Sequence, residues 1–73
     1  MGKLPIVSSR DCIRALGKVG FYFVRQKGSH IVLERDDPWA QTVVPAHREL
    51  RKGTLRRIIR DAGLTIDEFI DLL

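Results

Sequence analysis

One cysteine in 73 residues, Cys12, rules out an internal disulfide and suits a reducing compartment. That cysteine and the two histidines, His30 and His47, have none of the close spacing that builds a zinc site, so no metal is expected. No apolar run approaches the roughly 20 residues needed to cross a bilayer. The opening Met1-Gly2-Lys3-Leu4-Pro5 has no apolar stretch of the secretory type. Ile6 stands where a myristoylation signal after Gly2 needs Ser or Thr, so no lipid anchor is expected. A Gly-rich phosphate loop is missing, and Ser29-His30 has neither the elbow nor the third member of a hydrolase triad. Repeats, low-complexity stretches and long linkers are missing too. The expectation is one small domain over residues 1–73, cytoplasmic, with no membrane contact and no small-molecule cofactor.

What is present is a lopsided charge. The net charge is +4, but residues 1–60 carry all 13 Lys and Arg against five acids, while residues 61–73 carry four acids and no base. A basic body favours polyanions, because Lys and Arg displace condensed counterions from phosphates. The bland alternative is scattered surface charge on a soluble protein. The acidic, apolar end reads as an interaction edge or a cover for part of the basic surface.

The pattern reads as six short elements. Ser8 or Ser9 is placed to cap a helix over about residues 9–19, with Ser8 and Asp11 close to a capping box. Cys12, Ala15, Leu16 and Val19 share its apolar face, so Cys12 reads as a packing residue, and Gly20 closes the helix as C′. Phe21–Gln26 and His30–Arg35 read as strands joined at Lys27-Gly28-Ser29. Asp36-Asp37-Pro38 breaks the second strand, and Gln41–Val44 forms a third that stops at Pro45. Thr54 is expected to cap a second helix with Leu55, Ile58, Ile59 and Ala62 inward, ended by Gly63. Thr65 and Glu68 make a capping box for a last helix, and Leu64 can staple onto Phe69. The order α-β-β-β-α-α predicts an α+β two-layer sandwich with a three-stranded antiparallel sheet, the arrangement of the double-stranded-RNA-binding fold.

Two regions could carry chemistry. At the hairpin turn, Gly28 allows close backbone approach, Ser29 offers a hydroxyl, and Arg25 and Lys27 supply positive charge. His30 follows at once, and an imidazole exchanges protons near neutral pH. Cleaving RNA needs a base for the 2′-hydroxyl proton, an acid for the departing 5′-oxygen, and cations for the charge between them. His47, two residues after Pro45, is a candidate second acid or base; equally it could cap strand three or bond the loop backbone. The second region is the basic segment from Arg48 to Arg60. Lys52, Gly53 and Thr54 stand at a helix start where free amides attract phosphate, with Arg56 beside them. For Trp39 the expectation is an anchor in the loop after Pro38, with stacking on a base or a partner surface as the alternative.

Taken in order, Leu4-Pro5 with Ser8, Gly20-Phe21, Arg25-Gln26-Lys27-Gly28-Ser29-His30, Val44-Pro45-Ala46-His47, Gly53-Thr54-Leu55 and Ala62-Gly63-Leu64 with Phe69 form one succession. It resembles the HicA toxins, once called YcfA-like proteins, over essentially the whole chain. The resemblance implies a double-stranded-RNA-binding-like fold used as an mRNA endonuclease (mRNA interferase) that arrests growth. It implies that the histidine after Gly-Ser, here His30, is catalytic without a metal, and that a HicB antitoxin binds the toxin and shields its active face. The competing readings are a non-catalytic RNA-binding module of the same fold and, behind it, a small DNA-binding regulator using the Lys52–Arg60 helix.

Overall fold

In the computed structural model, which describes residues 3–73, the element order is α1 (Ser9–Gly17), β1 (Tyr22–Lys27), β2 (His30–Asp36), β3 (Trp39–Pro45), α2 (Lys52–Asp61) and α3 (Ile66–Leu72). The α-β-β-β-α-α order expected from the sequence is the one observed. The reading of Met1-Gly2 as free of signal and lipid anchor lies outside the described residues.

Each helix begins or ends where local chemistry says it should, with one exception. Asp11 N–H donates to Ser8 Oγ at 3.0 Å, which caps α1, while the Asp11 carboxylate turns to Arg14 instead of completing the box. The last turn of α1 tightens, so the helix ends at Gly17 and not at residue 19. Gly20 still closes it: at φ 97° its N–H donates to the Gly17 carbonyl and Phe21 N–H donates to that of Leu16, the Schellman pairing. Thr65 and Glu68 form the full reciprocal box of α3. The exception is α2. It starts at Lys52 with Arg51 as N-cap and no side-chain cap, so Thr54 is its third residue. The buried Leu50 sets this frame, because its N–H donates to the Val7 carbonyl at 2.8 Å and Leu55 N–H then reaches the Arg51 carbonyl.

The sheet has the order β1-β2-β3, antiparallel throughout. Its third strand is longer than the sequence suggests. Asp37-Pro38, joined by a cis peptide bond, occupies the two central positions of a tight turn, so pairing resumes at once with Asp36 opposite Trp39. Trp39 is therefore a strand residue, and with 66% of its surface exposed it does not anchor a loop. Alternation along β2 and β3 puts Ile31, Leu33, Ala40, Thr42 and Val44 under the helices. There they meet Cys12, Leu16, Leu55, Ile58 and Phe69 in the core, which Leu64 partly covers. Thr42 donates its hydroxyl to Asp61 Oδ2 at 3.0 Å, so the one buried polar side chain among the described residues is satisfied.

The helical layer is off centre. Helices α1 and α2 pack on β3, and α3 packs on α1 and α2, whereas β1 has no comparable helix contact. No residue of β1 is buried, and a bulge between Phe23 and Arg25 bends it. The opposite sheet face carries no helix. It displays, from one end to the other, Lys27 and His30 with Pro45, then Arg25 with Val32 and Val43, then Tyr22 with Glu34 and Gln41, and last Asp36 with Trp39.

Candidate nucleic-acid interface and active site

A two-residue turn positions His30. Gly28 takes φ 59° and Ser29 does not take a positive φ, the glycine-first pattern of a II′ hairpin turn that matches strand twist. Gln26 braces it by donating its side-chain amide to the Gly28 carbonyl at 3.0 Å. Ile31, next along β2, packs against the core, so alternation turns His30 to the open face. Lys27 is its direct cross-strand partner, which places the two Cβ atoms about 5 Å apart, and Arg25 is the diagonal neighbour at roughly 7–8 Å. His30 is exposed, and among the described residues no side chain is hydrogen-bonded to its ring.

Backbone bonds bring the second histidine segment to this turn. On its other side His30 pairs with Pro45, and the Ser29 carbonyl accepts the Ala46 N–H at 2.6 Å. The chain then crosses to the start of α1, where Ser9 N–H donates to the His47 carbonyl at 3.0 Å. A cleft of about 470 Å³ opens along this path, lined among others by Pro45, His47, Arg48, Arg51 and Thr54. Pro45 thus belongs both to the rung of His30 and to the wall of the cleft. His47 is exposed and also lines a neighbouring hollow with Arg10.

The cations here make no ion pair among the described residues, although Glu49 lines the same cleft as Arg48 and Arg51. Among the described residues the ion pairs are Arg14–Asp11 and Arg57–Asp61, neither of which uses Arg25, Lys27, Arg48, Arg51, Lys52 or Arg56. Exposed cations without carboxylate partners are free to meet phosphate. Lys52 and Arg56 are exposed on α2 but do not line the cleft, so of the basic residues singled out from the sequence, Arg25 and Lys27 stand nearest His30. Arg48 and Arg51 lie in the basic segment read from the sequence but had no role of their own there, and Arg10 was not singled out. The run His47-Arg48-Glu49-Leu50-Arg51-Lys52 carried the signal for Arg48 and Arg51, and backbone bonds at Ala46 and His47 set that run beside the hairpin turn and α1; nothing in the sequence marked Arg10.

Other chemistries find less support. Burial pushes the Cys12 thiol up to about 12, which leaves it without thiolate at neutral pH and fits packing, not nucleophilic attack. Among the described residues no three His, Cys, Asp or Glu side chains gather as a ligand set. What the arrangement offers is a solvent-open imidazole flanked by cations, beside a cleft lined by Arg48, Arg51 and Glu49.

The family model described as "HicA toxin of bacterial toxin-antitoxin" matches residues 9–64. The chain belongs to the HicA toxin family. A search of curated proteins returns no match. The matched span runs from α1 to just beyond α2, so it takes in the hairpin, both histidines and the cleft. As a HicA-family toxin the chain is one half of a toxin–antitoxin pair, which implies an antitoxin partner. No described helix is long and apolar enough to cross a membrane.

Proposed function

We propose that this single-domain toxin is an endoribonuclease acting on mRNA in the cytoplasm, with His30 as its acid–base catalyst. The observation that carries the proposal is the position of His30: exposed on the open sheet face, opposite Lys27 and diagonal to Arg25. In this reading the imidazole takes the proton of a ribose 2′-hydroxyl. The freed oxygen attacks the adjacent phosphorus, and the bond from phosphorus to the 5′-oxygen breaks. A proton then passes to the departing oxygen, leaving a 2′,3′-cyclic phosphate and a 5′-hydroxyl. His47, which the backbone holds next to the His30 turn, is the candidate acid for that last transfer. Lys27 and Arg25 steady the negative charge on phosphorus, with Gly28 and Ser29 close to the same phosphate. Arg48, Arg51, Lys52 and Arg56 hold flanking phosphates. A HicB-like antitoxin inhibits by covering this face.

Incubating purified protein with RNA in EDTA tests the reading directly. Cleavage by the unaltered chain and a loss of roughly a hundred- to ten-thousand-fold in His30→Ala are expected, with 5′-hydroxyl ends on the products. Equal cleavage by both proteins would falsify the assignment of His30. The same assay on His47→Gln reads the second role: an unchanged rate and pH profile removes His47 from the chemistry. One observation favours a non-catalytic RNA-binding module instead, namely that no described side chain orients the His30 ring. That module binds RNA in a salt-sensitive way, cuts nothing and is indifferent to His30→Ala.

A further inference from the structure

The far end of the open face has the opposite character to the His30 end. Glu34 lies four residues along β2 from His30, about 13 Å away at a strand rise of ~3.3 Å, and Asp36 lies about 20 Å away. Here Glu34, Asp36 and the turn residue Asp37 supply negative charge. The nearest cation of the strands, Arg35, points to the other face, where it caps the Phe21 ring at 4.9 Å and donates to the Pro38 carbonyl. Of the five large hydrophobic side chains exposed among the described residues, Trp39 at 66% and Tyr22 at 44% stand on the open face at this end, while Phe23 at 60% lies on the other face, opposite Leu33. Asp36 sits between two of them, opposite Trp39 and accepting the Tyr22 hydroxyl at 2.6 Å.

We propose that this seat, an exposed carboxylate between two exposed rings, docks a Lys- or Arg-bearing segment of the antitoxin. The argument is charge complementarity. A cation set there meets the free edge of the Asp36 carboxylate and the faces of Trp39 and Tyr22 together, a combination that ammonium and guanidinium groups favour. Three acids in one place repel a phosphate backbone, so RNA is the poorer occupant. Exposed Trp and Tyr are also the side chains that most often anchor protein partners. The open face therefore has two unlike ends, basic at His30 and acidic at Trp39, with Val32 and Val43 between them, and a partner of matching charge can lie on it in one direction. The proposal rests on membership of a toxin–antitoxin family and is independent of the ribonuclease reading.

The test is a binding titration of the chain with the antitoxin encoded beside it, at low and high salt, for the unaltered protein, Trp39→Ala and Asp36→Lys. Trp39→Ala is expected to weaken binding about tenfold or more. Asp36→Lys is expected to weaken it further at low salt than at high salt. RNA cleavage by the free chain, measured in parallel, stays at the unaltered level in both variants, so the docking and ribonuclease readings stand or fall separately. Antitoxin affinity unchanged in both variants overturns the proposal. So does a loss of RNA affinity in Trp39→Ala with antitoxin binding intact, which makes the rings a platform for bases. Conversion of a dimer of the unaltered chain to monomer by Trp39→Ala, again with antitoxin binding intact, makes the occupant a second copy and also overturns it.

Discussion

Strands β1 and β3 both form edges of the sheet and both pair with β2, yet they do opposite work. Along β3, Ala40, Thr42 and Val44 are buried at every second position, as a strand under helices requires. Along β1 nothing is buried, although its sequence, Tyr-Phe-Val-Arg-Gln-Lys, is the more aromatic of the two. The difference comes from where α1 and α2 rest, which is on β3. Stability is therefore concentrated on one side of β2, and side chains free to meet other molecules are concentrated on the other. A residue's hydrophobicity alone does not say on which side of that division it falls.

Substitutions on the two strands should separate sharply. The largest effect is expected from Val44→Ala, which empties space at a fully buried position of β3 and should cost about 2 kcal/mol in a urea melt. Cys12, the single thiol, offers an independent readout because burial keeps it protonated and covered. Its labelling by a thiol reagent should need opening of the fold, and should speed up roughly thirtyfold in Val44→Ala. Phe23→Thr on β1 should shift stability by no more than about 0.5 kcal/mol and leave Cys12 labelling unchanged. A cost for Phe23→Thr equal to that of Val44→Ala would erase the proposed division.

The smallest effect concerns Tyr22, the only tyrosine, whose ultraviolet titration is free of interference from other phenols. Its hydrogen bond to Asp36 pushes the phenol pKa up, with smaller contributions from desolvation and from the negative charges of Asp36 and Glu34. Folding thus favours the protonated phenol. The stabilisation is whole below the ordinary tyrosine value and is lost as pH climbs through the raised one. Asp36→Asn should bring the titration back towards the ordinary value, and a curve identical to the unaltered one would show that the bond does not form in solution.

Much of this arrangement was legible in the residues. Helical spacing of Cys12, Ala15 and Leu16, the Thr65–Glu68 box and the Lys27-Gly28-Ser29-His30 turn are local signals, and each element formed where they point. The misreadings came where a long-range contact or a tighter turn than expected overruled local preference. Thr54 is a better cap than Arg51 by propensity, but the Leu50–Val7 bond starts the helix a turn earlier. Pro38 signals a break, yet a two-residue turn absorbs it and Trp39 resumes the ladder. At the site, the residues of the hairpin were readable because they are neighbours in sequence. The cleft was only partly so: its lining from Pro45 to Thr54 is one stretch of sequence, but its seat beside the hairpin turn and α1 rests on the Ala46–Ser29 and Ser9–His47 bonds, which no spacing rule anticipates.

One of those bonds has an evolutionary consequence. Ala46 is tied to Ser29 through main-chain atoms alone, so the segment bearing His47 and Arg48 keeps its berth beside the imidazole whatever side chains it carries. Its cations can be exchanged, added or removed without disturbing the scaffold. If the chain acts on RNA as proposed, a toxin built this way can drift in which transcripts it grips while the turn that presents His30 stays as it is.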